Sequence, residues 1–267
     1  MIRKILCLLA FALPLFSQEK VESVYENLIR EISQKYVPDK RVDVFEVVIY
    51  RQGDALISKG ETTVEKAKAE LILKLKQLSP NVVDSIIVLP SPELGNKIYG
   101  VVSVSVANMR SKPMHQAELV NQVLMGSNVK ILKRHGYWYF VQTEPPESYL
   151  GWVEEEGLKI FNLSEFEEWK RIKKIIFVDY FGFVYSQKDK KSIPVSDLVM
   201  GDVLGVEKYE GEWVGVVLPD GRRGYVEKAQ IDDLEKWRKS LSLSTSSIIN
   251  TAKKVCWFSL PLGWNKC

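Results

Sequence analysis

Residues 125–141 read MGSNVKILKRHGYWYFV, and residues 200–217 read MGDVLGVEKYEGEWVGVV. Gly126 aligns with Gly201, Gly136 with Gly211 and Trp138 with Trp213, each pair 75 residues apart. Further on, Gly151-Trp152-Val153 matches Gly224-Tyr225-Val226. The first copy has two extra residues in its Glu144-Pro145-Pro146-Glu147 loop. Self-similarity at a fixed offset marks a structural unit used twice. Within each copy, short segments rich in Val, Ile, Leu, Tyr and Trp alternate with Gly, Pro, Asp and Asn turns, the pattern of closely connected strands. Segments this short at this spacing predict a small β-barrel rather than a helical array.

A barrel of about 60 residues buries a modest share of its surface and is marginal alone. Large aromatic side chains compensate, since burying one Trp removes up to about 250 Å² from water at about 25 cal/mol/Å². Trp138, Trp152 and Trp213 therefore have two readings: core or hairpin packing, or stacking on a ligand in a groove between loops. Between the copies, Ser164-Glu165-Phe166-Glu167 has the form of a capping box. It predicts a short acidic helix through Trp169, ending near Lys173 and packed between the two barrels.

Upstream, Val21, Val24, Leu28, Ile32 and Tyr36 form a helical stripe that Pro38 ends. Val42, Val44, Val47 and Ile49 then alternate as a strand would, up to a Gly53-Asp54 turn. Thr62 or Thr63 is placed to cap a second helix with Ala67, Leu71, Leu75 and Leu78 on its apolar face, and Ile86 to Leu89 reads as a further strand. Residues 38–97 thus predict a small β-β-α-β lobe. At the start of the chain, Arg3 and Lys4 precede the apolar run Ile5 to Phe16, and Ser17-Gln18-Glu19-Lys20 follows. This is the pattern of an export signal cleaved near Ser17. A membrane span needs about 20 apolar residues, more than this run has. After cleavage only Cys256 and Cys267 remain, and an oxidising compartment would permit a bond between them. A formal charge of +3 with interspersed Lys, Arg, Asp and Glu argues against nucleic acid.

The segment SVSVANMRSKPMHQAELVNQVLMGSNVKILKRHGYWYFVQT, followed by YLGWV, resembles the first bacterial SH3-like domain of NlpC-type cell-wall cysteine peptidases that cut γ-D-glutamyl-diamino acid bonds. The Asn108-x-Arg110-x-x-Pro113 turn and the His115-x-Ala117-Glu118-Leu119 segment carry most of the match, which extends from about residue 40 to 254. The fold implied is mostly β, with an α/β N-terminal lobe and two tandem bacterial SH3-like (SH3b) barrels. Its parts are a signal peptide at 1–17, a helix at 18–37, the lobe at 38–97, barrels at 98–160 and 174–237, a linker helix at 161–173, and a peptidase remnant at 238–267.

In that family a papain-like domain follows, its nucleophile in an Asp-Cys-Ser-Gly motif where a helix start and a His lower the thiol pKa. No such motif is present, and only 13 residues, VCWFSLPLGWNKC, follow Lys254. These can be back-translated so that reading one nucleotide later gives Phe-Val-Gly-Phe-Pro-Tyr-Leu-Trp-Gly-Gly-Thr-Ser, close to the start of the family's catalytic domain. Third-base freedom supplies part of that agreement. The shifted codons at Trp257 and Trp264, however, are forced to Gly, where the family has Gly. The expectation is a frameshifted gene whose product has no catalytic residues.

His115 and His135 are the only histidines, and their spacing to Cys256 or Cys267 matches neither a catalytic pair nor a metal site. No cofactor and no metal are expected. The resemblance assigns Glu118 and Tyr149 to the free amine of a peptide stem; the plainer reading is a surface Glu and a strand-end Tyr. The implied partners are cell-wall peptides, or muropeptide stems, met by an exported protein in the periplasm or at the cell surface. There the chain acts as a non-catalytic, weakly binding portion of a peptidoglycan-peptide endopeptidase. The alternative is a dedicated exported binding module that never had an enzyme domain. Oligomeric state is not legible. Resequencing the gene from the Thr251 codon to well beyond Cys267 is expected to show the shifted frame running on through Asp-Cys-Ser-Gly; its absence would leave the binding-module alternative.

Overall fold

The computed structural model describes residues 15–240, 244–246, 248, 249 and 252. Residues 1–14 of the expected leader, and the 255–267 tail with Cys256 and Cys267, lie outside the described residues. The chain is mostly β, with three sheets, and divides between Leu89 and Pro90 into two compact units.

The first unit contains α1 (Leu15–Tyr36), β1 (Phe45–Gln52), β2 (Ala55–Thr62), α2 (Glu65–Leu78) and β3 (Val82–Val88). β1 and β2 form an antiparallel hairpin about Gly53, whose φ is +60°. β2 and β3 run parallel, so α2 serves as the crossover such a pair requires. Ala67, Leu71 and Leu75 of α2 are fully buried with Leu56 and with Tyr25, Leu28 and Ile32 of α1. Two residues of the expected stripes, Val24 and Leu78, are exposed instead. Neither Thr62 nor Thr63 caps α2, whose N-cap is Val64. The Thr62 hydroxyl donates to the Val44 carbonyl at 2.8 Å, and Thr63 Oγ1 accepts the Val44 N–H at 2.9 Å. Both threonines are thus engaged by the segment entering β1.

In the second unit, one sheet comprises β4 (Tyr99–Val102), β5 (Val106–Arg110), β6 (Leu119–Leu124), β7 (Asn128–His135), β8 (Trp138–Thr143), β9 (Leu150–Glu154) and β10 (Leu158–Phe161). After α3 (Leu163–Arg171), the other comprises β11 (Lys174–Phe177), β12 (Phe181–Tyr185), β13 (Pro194–Val199), β14 (Val203–Glu210), β15 (Trp213–Val217), β16 (Arg223–Glu227) and β17 (Ile231–Asp233), and α4 (Leu234–Ser240) follows. The strand orders, β10-β4-β7-β8-β9-β5-β6 and β17-β11-β14-β15-β16-β12-β13, are the same. Registers agree as well: Tyr99 faces Lys130 as Lys174 faces Gly205, and Trp138 faces Glu154 as Trp213 faces Glu227. Even the irregularities repeat, with a bulge between Ile131 and Lys133 in one copy and between Val206 and Lys208 in the other. The sequence repeat is therefore a repeat of backbone pairing.

The two sheets are joined through buried groups. Met125, from the turn after β6, is fully buried in the core of the second sheet beside Phe177, Leu198 and Leu204. Its carbonyl accepts the Val203 N–H at 2.9 Å, and its own N–H donates to Asp202 Oδ1 at 3.1 Å. Asp202 Oδ2 accepts the Val199 N–H at 2.8 Å. Ser105 donates to Asp197 Oδ2 at 2.6 Å, and Arg222 Nη2 donates to the Ser103 carbonyl at 2.9 Å. Gly126 has φ +81°, and a Cβ there would lie 2.3 Å from the Val203 carbonyl oxygen, so only glycine fits. α3 seals the junction with buried Phe166 and Trp169, packed with Val101, Phe161 and Val217. Its cap lies two residues before the expected one. Asn162 accepts the Glu165 N–H at 3.0 Å while Glu165 accepts the Asn162 N–H at 2.9 Å, a reciprocal box that leaves Ser164 inside the helix.

Two outcomes follow from this junction. Met125→Ala empties a fully buried site and is expected to cost about 2–5 kcal/mol, read as a lower urea midpoint. Burial pushes the Asp202 carboxyl up to about 7 from 3.8, against the lowering effect of its two N–H donors. A carboxyl raised by folding contributes stability below its unfolded pKa and loses it as pH rises through the folded one. Wild-type stability should therefore fall between pH 3.8 and about 7 relative to Asp202→Asn, whose profile lacks this component. Parallel urea titrations across that range check it, and superimposable profiles would contradict it.

Candidate functional site

Strand alternation places Trp138 and Trp152 on the outward side of the first sheet. On β8, Tyr139 and Val141 are buried, so Trp138 and Phe140 face out and are half-buried. On β9, Gly151 and Val153 are buried, while Trp152 and Glu154 face out. Phe140 pairs with Trp152 across the strands, with ring centroids 5.1 Å apart. The bulge in β7 turns Lys133 to the same side, its ammonium 5.2 Å from the Phe140 ring centre and 5.4 Å from that of Trp152. Such cation–π contacts are worth about 0.5–1 kcal/mol at exposed sites.

Residues 111–118 form a loop bordering this face. Its base is closed by the Ser111 N–H donating to the Glu118 carbonyl at 2.9 Å and by Arg110 Nη1 donating to the Ala117 carbonyl at 3.1 Å. The loop carries His115, whose ring lies edge-on to Trp138 at 5.3 Å and whose Nε2 is 3.3 Å from Glu154 Oε1. Trp138, Phe140, Trp152, Lys133, His115 and Glu154 are thus one continuous surface. None of the three expected groove tryptophans belongs to a core cluster. Trp213 occupies the matching place on the second sheet, 5.9 Å from Tyr185.

Glu118 and Tyr149 lie in the connections ahead of two different strands. Glu118 is exposed just ahead of β6, and half-buried Tyr149 sits just ahead of β9 with its N–H donating to Thr143 Oγ1 at 2.9 Å. β5 lies between those strands. Lys133, Phe140 and the His115–Glu154 contact were not singled out from the sequence. The Trp138-x-Phe140 alternation is the signal that could have found the ring; the contact joins residues too distant in sequence to leave one.

A cleft of about 930 Å³ lies where α3 meets the two sheets, and Lys170, Arg171, Lys173, Lys174, Asp233 and Arg238 are among its lining residues. Lys173 lies 3.0 Å from Asp233, Lys170 2.9 Å from Glu167, and Arg238 3.3 Å from Glu235. Lys174 donates to the Trp169 carbonyl and, at 2.8 Å, to that of Ile172, closing the end of α3. Burial lowers its pKa to about 8. Lys170, Lys173, Lys174 and Arg238 are thus each engaged within the fold. Among the described residues, no three His, Cys, Asp or Glu side chains converge as metal ligands would, and no helix is long and apolar enough to cross a membrane.

Among solved structures, the chain is similar to an NlpC/P60 family protein from Bacillus cereus ATCC 10987, at 18% identity and a TM-score of 0.47, over 58% of this chain and 63% of that one. It is also similar to an NlpC/P60 endopeptidase from Photobacterium damselae subsp. piscicida, at 15% identity and a TM-score of 0.40, over 55% of this chain and 35% of that one. The match therefore spans less than two thirds of either protein. No curated protein matches the chain. Residues 109–158, running from β5 to the first residue of β10 and including every residue of the aromatic face, match the family model of the bacterial dipeptidyl-peptidase Sh3 domain.

Proposed function

We propose that the second unit is a pair of tandem SH3-like barrels, and that the chain is an exported, non-catalytic cell-wall component binding the peptide stems of peptidoglycan. The observation that carries this reading is the coincidence of residues 109–158, the Sh3-domain match, with the outward aromatic face. Identity of strand order and register extends the barrel reading to the second copy.

The chemistry suits a free amine. Glu118 supplies an exposed carboxylate, and a charge-assisted hydrogen bond to an ammonium is about twice as strong as a neutral one. Tyr149 adds a phenol. The neighbouring face already holds the Lys133 ammonium against two rings, which supports a surface able to accept cationic groups. An open face covers only one side of a peptide, so affinity is weak.

Titrating the full chain calorimetrically with L-Ala-γ-D-Glu-diaminopimelate is expected to give saturable binding without cleavage products. Glu118→Gln and Tyr149→Phe should each weaken it by roughly threefold to tenfold. N-acetylation of the peptide should weaken it as much. Equal affinity for the acetylated peptide would contradict the amine assignment, and turnover would contradict the non-catalytic one.

A further inference from the structure

Along one strand the second sheet differs from the first in a way that the fold does not require. On β5 the outward positions are Val106, Asn108 and Arg110; the matching positions on β12 are Phe181, Phe183 and Tyr185. The residues between them, Ala107 and Met109 or Gly182 and Val184, are buried in both copies. Since the first copy forms the same sheet with Val, Asn and Arg, the three rings are not needed for folding. They nevertheless leave apolar surface in water, with Phe181 56% exposed. Exposed apolar patches of this kind mark binding sites.

The rings form a line. Phe181 and Phe183 are 5.0 Å apart, Phe183 and Tyr185 6.0 Å, and Tyr185 and Trp213 5.9 Å. Tyr225 adjoins it, since Tyr185 pairs with Tyr225 across β12 and β16. No ring of this line borders the cleft at α3 or the two smaller clefts beside Leu163 and Arg134. The line lies outside all three clefts, and an open row of rings suits a flat ligand better than a side chain that needs a pocket.

The rim is charged and nearly balanced, with four cations against three carboxylates. Lys190 lies 2.9 Å from Glu227, Lys208 3.1 Å from Glu210, and Arg223 2.6 Å from Glu207, while the Lys188 ammonium is 3.5 Å from Glu210 and 5.9 Å from the Tyr225 ring centre. Paired carboxylates and cations offer acceptors and donors side by side with little net field, matching hydroxyl and amide groups better than an ionic ligand. Pyranose rings combine both properties: flat C–H faces that stack on aromatic rings, and an edge of hydroxyls.

We propose that the outward face of the second sheet, built on Phe181, Phe183, Tyr185, Trp213 and Tyr225, binds an uncharged pyranose chain. This site is distinct from the first-sheet face and independent of the peptide reading. The probe is chitotetraose, titrated into the full chain by calorimetry and by tryptophan fluorescence. Saturable binding is expected, changing less than about twofold between about 50 and about 500 mM salt because charge attraction contributes little. The triple variant Phe181→Val, Phe183→Asn, Tyr185→Arg installs what the first sheet carries, so it should fold normally, checked by far-UV circular dichroism, and bind roughly tenfold more weakly or not at all. Trp152→Ala should leave chitotetraose binding unchanged. The proposal is overturned by no saturable binding, by binding that the triple variant retains, by loss of binding in Trp152→Ala, or by affinity that collapses with salt. Stem-peptide binding weakened in Glu118→Gln with chitotetraose binding intact would separate this site from the first.

Discussion

The second unit depends on burying the Met125 turn of one sheet inside the core of the other. A fully buried side chain there, with its own N–H and carbonyl both engaged by the partner sheet, leaves little freedom for the sheets to slide. The constraint propagates to its neighbours. Gly126 has to be glycine because the Val203 carbonyl sits where a side chain would start. Asp202 has to be buried to reach two backbone N–H groups, and its raised pKa is the electrostatic cost of that position. The first copy has Ser127 at the matching position, where no second sheet has to be held.

Duplication separates what the fold demands from what it permits. Inward positions agree between the copies in register and in apolar character, whereas outward positions diverge. One outward face sets His115 and Lys133 around Trp138, Phe140 and Trp152; the other sets a line of Phe and Tyr beside several ion pairs. Each copy serves as the other's control, because a residue type found outward in only one of them is not required by the shared backbone.

Much of this architecture was legible in the sequence because its signals are local. The 75-residue offset, the glycines at the turns and the alternation around Trp138 and Trp213 are written within short stretches, and so is the mostly β character. Helix caps were less so: both Asn162 and Ser164 suit a cap, and the reciprocal bonds of Asn162 with Glu165 open α3 there. The amphipathic stripes erred at Val24 and Leu78, where periodicity gives a face but not its limits. The aromatic face was partly legible, through its tryptophans. His115 beside Glu154 and Met125 beneath the second sheet were not, because each contact joins residues that chain spacing does not link.

The bulge shared by β7 and β14 decides which side chains the rest of each strand turns inward. In β7, Val129 and Ile131 point inward, and the extra residue Leu132 lets Lys133 point outward instead of following them into the core. The bulge is thus a parity switch. Straightening the strand with Leu132 kept in step would exchange inside for outside beyond Ile131 and carry Lys133 into the interior. The two copies have kept that segment identical in length and differ instead by two residues in the β8–β9 connection, where Glu144 to Glu147 are exposed. That loop is the natural place for a lineage, or an engineer, to lengthen the chain.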